Sequence, residues 1–290
     1  YQSGDGFSSD PRYATEAVNV LTRDGYMRPV APCELFLPEL PAPIETFARL
    51  YRRWHTEETN HDVLIAACAG QLYWMLPNGS AWTQMALPAG WNGTGYQCNT
   101  WSYVAYEMNP EGSDAPVDVL LMSNAKDGMI CVRGDNMTVS VVNTPKKFGV
   151  IARHAERIWG GAIDNDPDML VYSSPFDPFN WQQNDEIPED GAGDLKQPSW
   201  DGDSFTALTP FGDQLIALKR TRVWRIMGTN PGEYVFNEQY GGGTPYAKTV
   251  AVDGTRILML NRDGLLQYNG ESVGPYYQEF AQNIWARMNK

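Results

Sequence analysis

Apolar and polar residues alternate in short runs along most of the chain, and the runs come in pairs separated by a tight turn. The clearest are VLIAACAGQLYWM (63–75), VDVLLMSNAKDGMICV (117–132) and FTALTPFGDQLIALKRTRVWRIMG (205–228). A fourth, TVAVDGTRILMLNRDGLLQYNG (249–270), carries turns at Asp253-Gly254 and Asp263-Gly264 and so defines three consecutive strands. Asp-Gly and Gly-Asp pairs mark hairpins because such turns need residues that accept positive φ. VIARHAERIWGGAI (150–163) has the same apolar flanks without a turn glycine, and MLVYSS (169–174) follows as another strand.

Turn glycines at Gly70, Gly128, Gly212 and Gly254 divide the chain into units of roughly 45 residues, the length of a four-stranded propeller blade. The pattern predicts an all-β chain, a β-propeller of about five or six blades. A β-sandwich has similar hairpins, but the repetition of one unit favours the propeller. Residues 1–43 have no sustained period and read as an extended N-terminal arm; 44–274 hold the propeller. Within it, IETFARLYRRWHTE (44–57) fits helical and strand spacing alike. In 275–290, Tyr276, Phe280, Ile284 and Met288 recur every fourth residue, predicting a C-terminal amphipathic helix.

Composition supports many strands joined by turns: 12% aromatic residues, 27 Gly and 20 Pro. The net charge of −13 argues against a reader of nucleic-acid phosphates, and suits the wall of a conduit that DNA passes without sticking. No run of about 18 apolar residues offers a membrane span. Cys33, Cys68, Cys98 and Cys131 form no C-x-x-C pair, which speaks against zinc and requires no disulfide.

The chemical motifs resolve into turns. GDSF (202–205) matches part of an esterase nucleophile block, but the last histidine, His154, lies upstream of Ser204 rather than after it. NGSAW (78–82) is only a fragment of a sialidase Asp box. The acidic stretch 185–203 (Asp185, Glu186, Glu189, Asp190, Asp194, Asp201, Asp203) reads as a solvated loop rather than a calcium site, and DNDPD (164–168) reads the same way. Arg133-Gly134-Asp135 reads as a turn, and His55, His61 and His154 have no metal spacing. Asn78, Asn92 and Asn136 head N-x-[ST] triplets that matter only in a secreted eukaryotic protein. The tryptophans read as core and inter-blade packing. Catalytic, cofactor and metal residues are therefore expected to be none.

Several phrases in fixed order resemble a known group: DPRYATEAVNVLTRDGYMRPV (10–30), RLYRRWH (49–55), VLIAACAGQLYW (63–74), RIWGGAIDNDPDMLVYSSPFDPFNW (157–181), SFTALTPFGDQLIALKRTRVWRIMG (204–228) and GLLQYNGESVGPYYQEFAQNIW (264–285). The chain resembles propeller-bearing bacteriophage virion proteins, such as the nozzle or hub components of short-tailed phages. The resemblance implies a β-propeller and favours a strand over residues 47–55. It implies a non-enzymatic structural role in the tail or head–tail junction, in rings that are often hexameric. Its partners would be other copies of the chain and neighbouring tail or connector proteins, with genomic DNA in transit. Its place would be the virion, assembled in the bacterial cytoplasm. No platform domain is inserted, so the position within the tail is open. The alternative is a carbohydrate-binding or glycan-hydrolysing propeller for host recognition, with Trp181 and Trp200 as sugar platforms.

Overall fold

Five sheets of four antiparallel strands follow one another along the chain, and each uses strands consecutive in sequence. The computed structural model describes residues 20–23, 26–29, 37–53, 61–91, 93–109, 115–196, 202–239, 241–262 and 264–276. The chain divides into two units, Tyr1–Glu39 and Leu40–Lys290. In the first, β1 (Val20–Arg23) pairs antiparallel with β2 (Tyr26–Pro29), so the expected extended arm contains a regular element.

The second unit is the propeller. Blade 1 is β3 (Thr46–Tyr51), β4 (Asp62–Cys68), β5 (Gln71–Met75) and β6 (Thr83–Gln84). Blade 2 is β7 (Ser102–Met108), β8 (Val117–Asn124), β9 (Gly128–Arg133) and β10 (Val139–Val142). Blade 3 is β11 (Val150–His154), β12 (Arg157–Gly161), β13 (Met169–Tyr172) and β14 (Gly193–Lys196). Blade 4 is β15 (Phe205–Phe211), β16 (Gln214–Lys219), β17 (Val223–Met227) and β18 (Val235–Gln239). Blade 5 is β19 (Ala251–Asp253), β20 (Arg256–Asn261), β21 (Gly264–Tyr268) and β22 (Val273–Pro275). The ambiguous 44–57 segment is thus a strand over Thr46–Tyr51, with residues 54–60 outside the described residues. The expected C-terminal helix also lies outside them, from residue 277 onward, while Pro275 still belongs to β22.

Alternation decides which way each blade packs, because successive side chains point to opposite faces of a strand. In β8, Leu120 and Met122 meet Leu50, Ile65 and Leu72 of blade 1, while Val119 and Leu121 turn to Ile151, Ile158 and Val171 of blade 3. In β16, Leu215 and Ala217 join Trp159 and Tyr172 of blade 3, while Ile216 and Leu218 join Ile257, Met259 and Tyr268 of blade 5. This is why the second strands of blades 1, 2 and 4 read as unbroken apolar runs: they are buried on both faces. Each fully buried Leu or Ile contributes about 1.5–3 kcal/mol of transfer energy. Where space is tightest, Gly160 lies against Phe148, and a Cβ there would sit 2.4 Å from its ring.

Four apolar clusters therefore join blades 1–2, 2–3, 3–4 and 4–5. Polar pairs reinforce them: the Arg53 guanidinium donates to Asp118 between blades 1 and 2, and Ser102 Oγ exchanges hydrogen bonds with the Ile151 backbone between blades 2 and 3. The ring returns on itself where Lys248 Nζ donates to Glu45 O at 2.5 Å. Among the described residues no buried apolar cluster closes this last joint.

Candidate functional site

Every blade offers two sets of loops, one at each end of its strands. At one end lie the turns between second and third strands and the links from blade to blade. The segment Ala162–Asp168, between β12 and β13, sits there, and the reading of DNDPD as a merely solvated loop needs correction. Asp164 accepts from Lys126 Nζ of blade 2 at 3.1 Å, and Asp166 accepts from Lys146 at 3.1 Å and Lys196 at 3.3 Å. Asp168 accepts from Lys219 Nζ of blade 4 at 2.5 Å. The two ammoniums beside Asp166 hold its carboxyl below the usual carboxylate range. Lys219 is 1% exposed and also lies over the Phe205 ring, so blades 3 and 4 share a buried ion pair. Sequence spacing gave no sign of these lysines, which come from four other segments.

At the same end, blades 4 and 5 enclose a cavity of about 460 Å³ lined by Arg220, Thr221, Gly241, Gly242, Pro245, Asn261 and Arg262. Its floor is the glycine run. Gly243 adopts φ +156°, and a Cβ there would stand 2.5 Å from Arg222 N and Lys219 O. Thr244 fixes the run: its N–H donates to Lys219 O at 2.8 Å, its hydroxyl to Leu260 O, and its carbonyl accepts from Thr206 Oγ1 at 2.7 Å. Asp203, from the acidic stretch, accepts from Arg220 N at 2.9 Å and lies 3.7 Å from its Nε. No sequence motif marked this cavity; its only trace was Gly241-Gly242-Gly243 beside two turn arginines.

The opposite end carries the loop 173–192 between β13 and β14. Arg157, 1% exposed on β12, gathers it by donating to Ser173 O at 2.8 Å, Gly191 O at 2.6 Å and Glu189 O. Asn and Asp side chains cap its turns: Asp177 on Phe179 N, Asn180 on Gln182 N, Asn184 on Ile187 N. Trp181 packs on Phe148 with ring centroids 5.1 Å apart and donates from Nε1 to Pro178 O, so its indole serves the blade 2–3 core. Trp200 lies outside the described residues. Phe176, at φ +58°, is 75% exposed, with Ile187 at 52%.

The remaining motifs fall apart in space or close on themselves. Ser204 precedes β15, whereas His154 sits within electrostatic reach of Asp213 at that strand's far end, about 20 Å away at the rise of a seven-residue strand. Burial lowers the His154 pKa, against the pull of Asp213. Arg133 and Asp135 bind each other through two hydrogen bonds of 3.0 and 2.6 Å, which raises the arginine and lowers the acid. Asn136 accepts from Thr138 N and Oγ1 within its own turn. Cys68 and Cys131 are buried strand residues, and burial pushes the Cys131 thiol up to about 12. Among the described residues no group of His, Cys, Asp or Glu is arranged to hold a metal ion. No helix among them is long and apolar enough to cross a membrane.

No family model and no curated protein matches the sequence. Among solved structures, the chain is similar to BBS1N in complex with ARL6DN at 12% identity, covering 82% of this chain and 71% of that one, with a TM-score of 0.47. It is also similar to YCF48 from Cyanidioschyzon merolae at 8% identity, over 82% and 87% of the two chains, with a TM-score of 0.45. Kluyveromyces lactis Hsv2p matches at 10% identity over 76% and 74%, with a TM-score of 0.35. These likenesses are loose, and the strand order itself identifies the fold: a β-propeller of five blades.

Proposed function

We propose that this chain is a non-catalytic structural subunit of a bacteriophage tail, at the nozzle, hub or head–tail junction, packing as a ring of identical propellers within the virion. The observation that carries the reading is the loop 173–192. Its backbone is fixed by Arg157 and by side-chain caps, yet it holds Phe176 and Ile187 out into solvent. Apolar side chains displayed on a rigid support are what a subunit contact uses, because little ordering entropy remains to be lost on docking. The resemblance of segments 10–30, 157–181 and 204–228 to phage virion proteins supports the same reading, as does the wide separation of Ser204 from His154. The glycan-binding alternative draws less support, since Trp181 is engaged in the core.

Native mass spectrometry of the purified protein tests this. The expected species is a discrete ring, about six times the 32.5 kDa of one chain. Phe176→Asp is expected to shift it to monomer without changing the fold. A monomer under all conditions, including co-expression with neighbouring tail proteins, overturns the proposal.

A further inference from the structure

Blade 5 buries only one of its two faces. The second strands of blades 1, 2 and 4 are covered on both sides, whereas β20 alternates. Ile257 and Met259 are buried against blade 4; Arg256, Leu258 and Leu260 point the other way and stay half-buried. Gln267 and Leu265 of β21, paired with Leu258 and Leu260, continue that second face. The described chain leaves blade 5 on the same face. Tyr276 N donates to Leu265 O at 2.9 Å, extending the pairing of β22 by one residue, and the Arg256 guanidinium lies over the Tyr276 ring, 5.4 Å from its centre. Arg256 also donates to Gln267 at 3.2 Å, so two residues of the face itself hold the exit.

We propose that residues 277–290 of the same chain form a helix lying across this face of blade 5, its apolar side on Leu258, Leu260 and Leu265, as a clasp beside the joint with blade 1. The sequence of the segment suits that place. At helical spacing Tyr277, Phe280, Ala281, Ile284, Trp285 and Met288 fall on one side, and Gln278, Glu279, Gln282, Asn283 and Arg287 on the other. At about 1.5 Å per residue such a helix is about 21 Å long, against about 14 Å across four strands, so it reaches from β22 over β21 and β20 to β19. So short a helix is marginal alone in water and gains its order from an apolar surface to lie on. The clasp belongs to a single chain, whether or not the chains form rings.

Hydrogen exchange of the full chain, followed peptide by peptide, tests this. Amides of 281–290 are expected to exchange at least about a hundredfold more slowly than in an unfolded chain, because a helix of this length is protected only when docked. Leu258→Asp and, separately, Ile284→Asp should each remove at least about tenfold of that protection while blades 2 to 4 keep theirs. Should Leu258→Asp fail to fold, Ile284→Asp decides alone, since it alters no residue of the sheet: the amides of β20 and β21 must then exchange faster than in the unaltered protein. Exchange of 281–290 at the unfolded rate, or protection that survives the substitutions, overturns the proposal. Protection that disappears on dilution overturns it too, because the segment then lies on a neighbouring copy.

Discussion

Lys219 is a long cationic side chain held 1% exposed, with Asp168 opposite and an aromatic ring beneath. Such a pair adds little over a well-packed apolar pair, but removing one partner strands the other charge in the interior. Lys219→Met is therefore expected to lower unfolding free energy by about 3 kcal/mol, and pairing it with Asp168→Leu to recover most of that loss. Denaturant melts of both single variants and the double variant check it; a double variant as weak as the sum of its parts argues against coupling. The residues concerned show what sequence reading cannot see. DNDPD looks like a solvated acidic loop because its counter-charges, Lys126, Lys146, Lys196 and Lys219, are scattered over 94 positions of sequence and meet it only through the fold.

At the scale of elements, the hairpins were legible and their phase was not. Gly70 and Gly128 turn from second to third strands, whereas Gly212 and Gly254 turn from first to second, so the glycines that marked the repeat mark different places in the blade. That is why the glycine spacing is irregular although the blades are regular. The turn of blade 3 carried no glycine signal because Ala155 and Glu156 themselves adopt φ +47° and +57°, a left-handed pair that side chains disfavour. The long loop 173–192 has no periodic signal at all; its order comes from Arg157, which sequence marks only as one more charge in a strand. Arg157→Ala is expected to free the loop while leaving the sheets paired. Limited proteolysis should then cut between 173 and 192 at least about tenfold faster, since local opening governs cleavage. An unchanged cleavage rate assigns the loop's order to its own turns instead.

For the whole molecule, acid weakens the fold in two stages. His154 is neutral in the fold because burial lowers its pKa, while the unfolded chain takes up a proton near about pH 6.5. It therefore neither adds nor costs stability above that value and destabilises the fold as pH falls below it, because only the unfolded chain gains the proton. Asp135 and Asp166, lowered by Arg133 and by Lys146 with Lys196, contribute above the ordinary carboxylate range and lose that contribution on further acidification. Urea midpoints at pH 7.5 and 5.5 should differ in the unaltered protein and differ less in His154→Gln; an equal difference in both would clear the histidine.

Four joints of the disc are closed by apolar clusters and the fifth by Lys248 reaching Glu45. Leu258, Leu260 and Leu265, which point away from blade 4, remain only half-buried at this fifth joint. Parting there wets little new surface, so the disc behaves as a split washer rather than a solid one. Among the described residues its circumference is weakest at that one joint, and blades 2 to 4, with the lysine-stitched loop and the Arg157-bound loop, keep their spacing if it parts.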